Sequence, residues 1–143
     1  MIIPDINILI YAYDRTSPYH EESRLWWEET VNSGVSIGLP AIVILGFLRI
    51  TTHPRVWATP MPIKVALEIV DSWLGQPTVT PIDPTSQHWR LLSEFLLKVQ
   101  LGGKLVSDAH LAAIAREHRA TLVTNDRDFE RFAGVSIFNP LSS

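Results

Sequence analysis

The sequence predicts an α/β fold in which helices cover both faces of a central parallel sheet of four to five strands. Short apolar segments alternate with longer helix-like segments along the 143-residue chain. The short segments are continuous apolar runs, which is typical of parallel strands that are buried on both faces. Hydrophobic residues make up 46% of the chain and charged residues 19%, which indicates a packed core rather than disorder.

The predicted strands are short apolar runs that end at turn-forming residues. The first run stops at Pro4 and Asp5, and the run "ATLVT" is followed by Asn125 and Asp126. Strands are therefore predicted at residues 2–3, 35–39, 78–82, 120–124 and 135–138.

The predicted helices are bounded by capping and breaking residues. Ser17 is expected to cap one helix, with Pro18 in its first turn. Asp83 is expected to open another helix, which Gly102 ends. Helices are predicted at residues 6–13, 17–33, 41–52, 63–74, 83–100 and 106–118.

Composition limits the classes of function. The chain has no cysteine, which excludes disulfides, thiolate zinc sites and thiol nucleophiles. Its net charge of −3 gives no overall field that would attract nucleic acid, although a local basic patch remains open. No apolar run reaches the ~20 residues that span a bilayer, and no basic signal-peptide region precedes the first strand. We expect a single cytoplasmic domain of residues 1–143 with no membrane segment.

Three aspartates fall where parallel sheets form their sites. Asp5 ends the first predicted strand, Asp126 follows the fourth, and Asp108 opens the helix that leads into the fourth. If the first and fourth strands are neighbours, the three carboxylates converge. Two such charges ~4 Å apart repel by roughly 4 kcal/mol at an effective dielectric near 20. A shared proton or a divalent cation relieves this repulsion.

An all-oxygen ligand set favours Mg²⁺ or Mn²⁺, and such an ion activates water for phosphodiester hydrolysis. Each acid also has a purely structural explanation. Asp5 can cap the first helix, Asp108 can respond to a helix dipole, and Asp126 or Asp128 can cap "DFERF". A phosphatase that forms an aspartyl-phosphate is disfavoured, because Asn7 stands where its second Asp would be.

Three motifs in order carry a family resemblance: "PDINILIYAYD", "LVSDAHLAAIA" and "LVTNDRDFERF". Together with shorter matches along the whole chain, they resemble PIN-domain ribonucleases, most closely the VapC-like toxins of type II toxin–antitoxin pairs. The resemblance implies a three-layer α/β/α PIN-like fold with an acidic pocket for Mg²⁺ (or Mn²⁺). It also implies an endoribonuclease that hydrolyses RNA, a cognate VapB-like antitoxin as partner, and a homodimer.

The resemblance also assigns roles to individual residues. Asp5, Asp108 and Asp126 match the family's catalytic metal ligands. A fourth acid, Asp128, is expected to hold the metal or its waters. Two polar residues are expected to support the site: Thr124 beside it, and Asn7 as the residue that orients the first Asp.

One position departs from the family pattern. Gly46 stands where the family usually has a Glu on the helix after the second strand. We expect either close packing or extra room at this glycine, and a pocket that holds one ion through fewer protein ligands and more waters. The alternative is a catalytically weak PIN-fold binding module. Arg49 lies one turn further along the same helix and is expected to reach a scissile phosphate or to pair with an acid.

Other side chains have open interpretations. His110 is either a general acid or base, or a hydrogen-bonded helix residue. Trp26 and Trp27 cannot face the same way, so one is expected to cover a groove for the antitoxin or a dimer contact. A basic rim that contacts RNA, or merely scattered surface charge, is expected from Arg55, Lys104, Arg116, Arg119, Arg127 and Arg131.

Overall fold

The computed structural model describes residues 1–57, 59–100 and 102–141. Its strands are β1 (Ile2–Pro4), β2 (Ile37–Pro40), β3 (Val79–Ile82), β4 (Thr121–Val123) and β5 (Ser136–Phe138). Its helices are α1 (Ile6–Tyr13), α2 (His20–Asn32), α3 (Ala41–Thr51), α4 (Ile63–Leu74), α5 (His88–Val99) and α6 (Lys104–Glu117), with a 3₁₀ helix at Arg127–Arg131. The single domain of residues 1–143 stays a prediction. Its last two residues, 142 and 143, lie outside the described part. The predicted loop of residues 54–62 includes Ala58, which also lies outside it.

The five strands form one parallel sheet in the order β3-β2-β1-β4-β5. The predicted α/β fold with a central parallel sheet is confirmed. In this order the chain first extends the sheet to one side of β1 and then continues on the other side with β4. The boundary between β1 and β4 is therefore the switch point at which open parallel sheets form their crevice.

The register of β1 and β4 places two polar residues side by side. Ile2 pairs with Thr121 and Pro4 with Val123, so the next residues along each strand are Asp5 and Thr124. The backbone N–H of Asp5 donates to the carbonyl of Val123 at 2.8 Å, which extends the pairing by one residue. The sheet thus fixes the backbone of the first predicted site residue.

Helices pack on each other in two groups, α1 with α2 and α3, and α5 with α6. The aromatic core between sheet and helices centres on Trp73, whose ring contacts the rings of Trp27 and Phe47 at centroid distances of 5.9 Å and 4.6 Å. Trp27 is buried, whereas Trp26 is half-buried and lines a separate apolar groove together with Phe138.

Three helices begin at residues other than those predicted. The second helix begins at His20, because Ser17 Oγ accepts the Tyr19 N–H in a local turn instead of capping the helix. The fifth helix begins at His88, not at Asp83, since Thr85 forms a turn ahead of it. The sixth begins at Lys104, two residues before its predicted start.

The earlier start of α6 corrects one site prediction. Asp108 is the fifth residue of this helix and does not open it. Lys104 consequently lies one helical turn before Asp108 on the same face, so its ammonium reaches the carboxylate of Asp108. Within the described ranges, no helix is long and apolar enough to cross a membrane.

Candidate active site

Asp5 caps a helix and lies at the switch point next to the other site carboxylates, whose charges act on it. Its Oδ1 accepts the N–H of Ile6 at 2.7 Å and so caps α1. Its Oδ2 accepts the hydroxyl of Thr124 at 2.7 Å. Burial, together with the neighbouring charges of Asp108 and Asp126, raises the pKa of Asp5 to about 6, although both hydrogen bonds oppose this shift.

Thr124 connects Asp5 to the loop that follows β4. The side chain is buried, and its Oγ1 also accepts the backbone N–H of Asp126 at 3.0 Å. A single hydroxyl therefore donates to one carboxylate and fixes the backbone of another. This geometry places Thr124 between Asp5 and Asp126, and its supporting role in the site stays a prediction.

Asp126 caps the 3₁₀ helix through one oxygen and faces the cluster with the other. Its Oδ1 accepts the N–H of Asp128 at 2.9 Å, while its Oδ2 is 2.8 Å from Lys104 Nζ. Burial alone would raise the pKa of Asp126, but the hydrogen bonds from Lys104 and from the N–H of Asp128 outweigh it and lower the pKa. Asp126 therefore caps a helix and also lies at the site.

Three carboxylates converge at the mouth of the crevice. One oxygen from each of Asp108, Asp126 and Asp128 lies within 4.8 Å of the other two, and no metal-sized cluster of this kind among the described residues includes Asp5. Burial, together with the charges of Asp126 and Asp128, raises the pKa of Asp108, and Lys104 opposes the shift. The Oδ2 atom of Asp108 is buried and has no hydrogen-bond partner among the described residues.

Lys104 lies inside this cluster, not on the expected basic rim. Its Nζ atom is 2.8 Å from Asp126 Oδ2, and it is 3.6 Å from Oδ2 of Asp108 and from Oδ2 of Asp128. The hydrogen bond to Asp126 is the largest of the effects that raise the pKa of Lys104, so the ammonium stays charged. No pattern in the sequence indicated this contact except the four-residue spacing to Asp108.

Two supporting residues have different surroundings from those expected. Asn7 Oδ1 is buried without a hydrogen-bond partner in the described part of the chain, so its role in orienting Asp5 stays a prediction. Arg49 forms no ion pair with any described residue and instead lines a groove beside the carboxylates. Of the two expectations for Arg49, pairing with an acid of the pocket is not observed among the described residues.

Gly46 is explained by close packing. A Cβ atom added at this position would lie 2.3 Å from Ile6 Cδ1 and 2.9 Å from Ile6 Cγ1, which is far inside van der Waals contact. The absent side chain lets α3 approach the start of α1, directly beside Asp5. Both expectations for Gly46 have support, because the glycine packs closely on Ile6 and also lines a groove beside the site.

The structure also contains a hydrogen-bonded network that sequence reasoning did not find. Glu117 Oε2 is 2.6 Å from His88 Nδ1, and His88 Nε2 is 2.8 Å from His110 Nδ1. His110 and Glu117 are seven residues apart on α6 and so share a face, which was the only available signal. Of the open interpretations for His110, the hydrogen-bonded helix residue is the one present.

Fold and site together define a class of protein: an α/β domain with a carboxylate cluster at the switch point of a parallel sheet. The family model described as PIN domain matches residues 2–135. Ribonuclease VapC33 of Mycobacterium tuberculosis is 40% identical over 99% of both chains, and Ribonuclease VapC37 of the same organism is 38% identical over 94% of both. This chain belongs to the PIN-domain family.

A solved structure shows the same fold at lower identity. The VapBC2 structure from Rickettsia felis, determined with a DNA fragment from the promoter, superposes with a TM-score of 0.71 at 20% identity. The match covers 97% of this chain and 98% of that one. The three-layer PIN-like architecture expected from the sequence is confirmed.

Proposed function

We propose that this chain is a metal-dependent endoribonuclease and the toxin of a toxin–antitoxin pair. The observation that carries the proposal is the convergence of Asp108, Asp126 and Asp128 next to buried Asp5 at the switch point. Its relatives VapC33 and VapC37 are named ribonucleases and align over nearly their whole length, which supports the same activity here.

The residues present fit a Mg²⁺ or Mn²⁺ ion. All donors are carboxylate oxygens, which these ions prefer. One oxygen from each of the three carboxylates lies within 4.8 Å of the other two, which makes them candidate ligands of a single ion. Asp108 Oδ2 supports the fit, because it is buried without a hydrogen bond and its ion pair with Lys104 Nζ is long, at 3.6 Å, so a metal ion would satisfy it more closely. Asp108, Asp126 and Asp128 would hold the ion, and Asp5 would add a negative charge behind them.

A bound ion of this kind would supply an activated water and neutralise the charge of the scissile phosphate. The chain itself positions the carboxylates: Thr124 fixes the Asp5 side chain and the backbone of Asp126. Lys104 offers an ammonium among the carboxylates, on a side chain that is 68% exposed. Once a metal ion occupies the carboxylates, this ammonium is free to contact a phosphate oxygen.

Digestion of RNA by the purified protein tests the proposal. Cleavage is expected with Mg²⁺ or Mn²⁺, and none with EDTA. Asp5→Ala, Asp108→Ala and Asp126→Ala should each abolish it, and their metal affinities would rank them as ligands. Asp71→Ala is the matched control, because Asp71 is exposed on α4 away from the cluster. Equal cleavage by the parent and by Asp126→Ala would contradict the proposal.

A second candidate function is a PIN-fold binding module with weak or no catalysis. The observation in its favour is Gly46, where packing against Ile6 occupies the place of the usual Glu. Metal binding separates the two candidates. If one ion is held through few protein ligands, Gly46→Glu should raise Mg²⁺ or Mn²⁺ affinity once Ile6 has shifted. Binding of an antitoxin without any RNA cleavage would favour the module.

The proposed partners are a VapB-like antitoxin, an RNA substrate and a second copy of the chain. The solved VapBC2 structure is a complex of this kind and supports the antitoxin proposal. A small open reading frame next to the gene, co-expressed with this chain, should co-purify with it and block RNA cleavage. Light scattering with and without that protein would test the homodimer. A cytoplasmic location is part of the same proposal, since antitoxin and RNA are both found there.

A further inference from the structure

A groove adjoins the carboxylate cluster on the side of α3. It has a volume of ≈ 430 Å³, with an apolar wall of Ile6, Ile42 and Leu45 and a polar end of Arg49, Ser107 and His110. Two of the residues that line it are sequence neighbours of site aspartates: Ile6 directly follows Asp5, and Ser107 directly precedes Asp108. The groove and the site therefore share the start of α1 and the first turns of α6.

Arg49 gives the groove a charge opposite to that of the cluster. Its guanidinium forms no ion pair among residues 1–57, 59–100 and 102–141, although acids surround the neighbouring site. Leu45 in the apolar wall is 63% exposed, so it leaves apolar surface open to a ligand in the groove. A free cation beside an exposed apolar wall suits a ligand with one anionic and one flat apolar part.

His110, which also lines the groove, is held in place by a hydrogen-bonded network. Glu117 Oε1 accepts the backbone N–H and the hydroxyl of Thr85 at 2.8 and 2.6 Å, and its Oε2 faces His88 Nδ1. An ionised carboxylate only accepts hydrogen bonds, so His88 Nδ1 carries the hydrogen in this pair. Burial alone would raise the pKa of Glu117, but the hydrogen bonds from Thr85 and His88 lower it, which keeps the carboxylate ionised.

The network fixes which nitrogen of His110 faces the ligand. While both rings are neutral, His88 Nε2 has a free lone pair and accepts the hydrogen of His110 Nδ1 at 2.8 Å. His110 Nε2 is then the one ring nitrogen left, and it is a hydrogen-bond acceptor. The ring is perpendicular to that of His88, with an interplanar angle of 84°, so a second contact restrains its orientation.

We propose that this groove is the subsite for an unpaired nucleotide of the RNA next to the scissile phosphate. In this proposal Arg49 binds the phosphate, the apolar wall packs against the base or ribose, and His110 Nε2 accepts a ribose hydroxyl or a base amino hydrogen. Unpaired nucleotides fit because their bases can leave the stack and lie on a protein surface. Glu117 and His88 are positioning residues that act through His110. The proposal rests on the proposed ribonuclease function.

Binding of a fluorescent single-stranded RNA oligonucleotide of mixed sequence, measured by anisotropy in EDTA at pH 8, tests the phosphate contact without cleavage. Arg49→Met should weaken binding about tenfold at low salt and reduce the slope of log affinity against log salt by about 0.7, the value for one phosphate on a single strand. Arg49→Lys should retain the slope. Arg15→Met is the matched control, since Arg15 is exposed, forms no ion pair in the described ranges and lies outside the expected basic rim. An unchanged affinity and slope in Arg49→Met would overturn the subsite.

The orientation of His110 is tested by long-range ¹H–¹⁵N spectra at pH 8. The parent should show His110 protonated at Nδ1, and His88→Phe, which keeps a ring but removes the acceptor, should shift His110 toward the other tautomer. His88→Phe should weaken RNA binding in parallel, whereas His53→Asn, at an exposed histidine of the loop after α3, should not. An unchanged tautomer in His88→Phe would overturn the positioning role.

These outcomes are separable from the ribonuclease proposal. If the parent does not cleave RNA but Arg49→Met lowers the slope of log affinity against log salt by the value for one phosphate, the nucleotide subsite stands and the catalytic proposal fails. If the parent cleaves RNA and both Arg49→Met and His110→Asn bind it as the parent does, the subsite fails and the groove receives something other than RNA.

Discussion

The ammonium nitrogen of Lys104 is 2.8 Å from Asp126 Oδ2 and occupies the space toward which three carboxylates converge. The chain thus carries an internal cation at the position where a divalent ion is proposed. Because Lys104 is the first residue of α6 and its side chain is largely exposed, it can leave the cluster without disturbing the core. A metal ion has to displace this ammonium, which gives the first prediction.

Lys104→Met should raise the affinity for Mg²⁺ or Mn²⁺. An exposed ion pair is worth ~0.2–1 kcal/mol, so removal of the competing charge should tighten binding by a factor of about 1.4 to 5. Isothermal titration calorimetry measures this directly. Lys98→Met is the matched control, because Lys98 is exposed on α5 and forms no ion pair in the described ranges. Weaker metal binding in Lys104→Met would show that the lysine helps to hold the ion instead of competing with it.

Asp5→Asn should stabilise the metal-free protein at pH 7.5 but not at pH 4. The pKa of Asp5 is raised to about 6, so the folded state binds this proton more tightly than the unfolded state. The stability that the proton provides is present below the ordinary pKa of 3.8 and is lost as pH rises through about 6. About two pKa units correspond to a gain of at most about 3 kcal/mol for Asn at pH 7.5.

Urea unfolding in EDTA across this pH range checks the effect. Asp71→Asn, at an exposed acid on α4, should show no comparable change. A stability difference between parent and Asp5→Asn that stays constant from pH 4 to pH 7.5 would contradict the raised pKa.

Thr124→Val should destabilise the protein and raise the pKa of Asp5 further. Valine keeps the volume of threonine but removes the hydroxyl that donates to Asp5 and accepts from the N–H of Asp126. Loss of a buried partner costs about 1–3 kcal/mol. Thermal unfolding and a ¹³C carboxyl titration of Asp5 measure the two effects. Thr124→Ser retains the hydroxyl and should retain most of the stability and the Asp5 pKa; a Ser variant as damaged as the Val variant would assign the loss to packing.

Gly46→Ala should destabilise the protein, and Ile6→Val should relieve part of that loss. The added Cβ meets Ile6 Cδ1 at 2.3 Å, and overpacking of this kind costs about 1–3 kcal/mol. Valine lacks the Cδ1 atom, so a double-mutant cycle should show a favourable coupling. Gly102→Ala is the control, because a Cβ there meets nothing within 4 Å. Additive effects of Gly46→Ala and Ile6→Val would place the cause of the glycine elsewhere.

Local patterns predicted most of the elements. The apolar runs at β2 and β3 end within one or two residues of the expected positions, because burial on both faces leaves a continuous apolar signature. Helix starts were less accurate. Ser17 and Asp83 are residue types that cap helices, but Ser17 Oγ accepts the N–H of Tyr19 in a local turn, and Thr85 forms such a turn after Asp83. Such local hydrogen bonds compete with capping.

The sequence by itself determined the parallel sheet and the placement of Asp5 and Asp126 at the ends of strands, because strand burial and strand ends leave periodic and compositional traces along the chain. The tertiary structure decided what surrounds them. The pairing of β1 with β4 brings together residues more than one hundred positions apart, such as Asp5 and Thr124. Lys104 among the carboxylates and the Glu117–His88–His110 network are likewise contacts between elements. Such contacts depend on how helices pack over the sheet, which no local periodicity encodes.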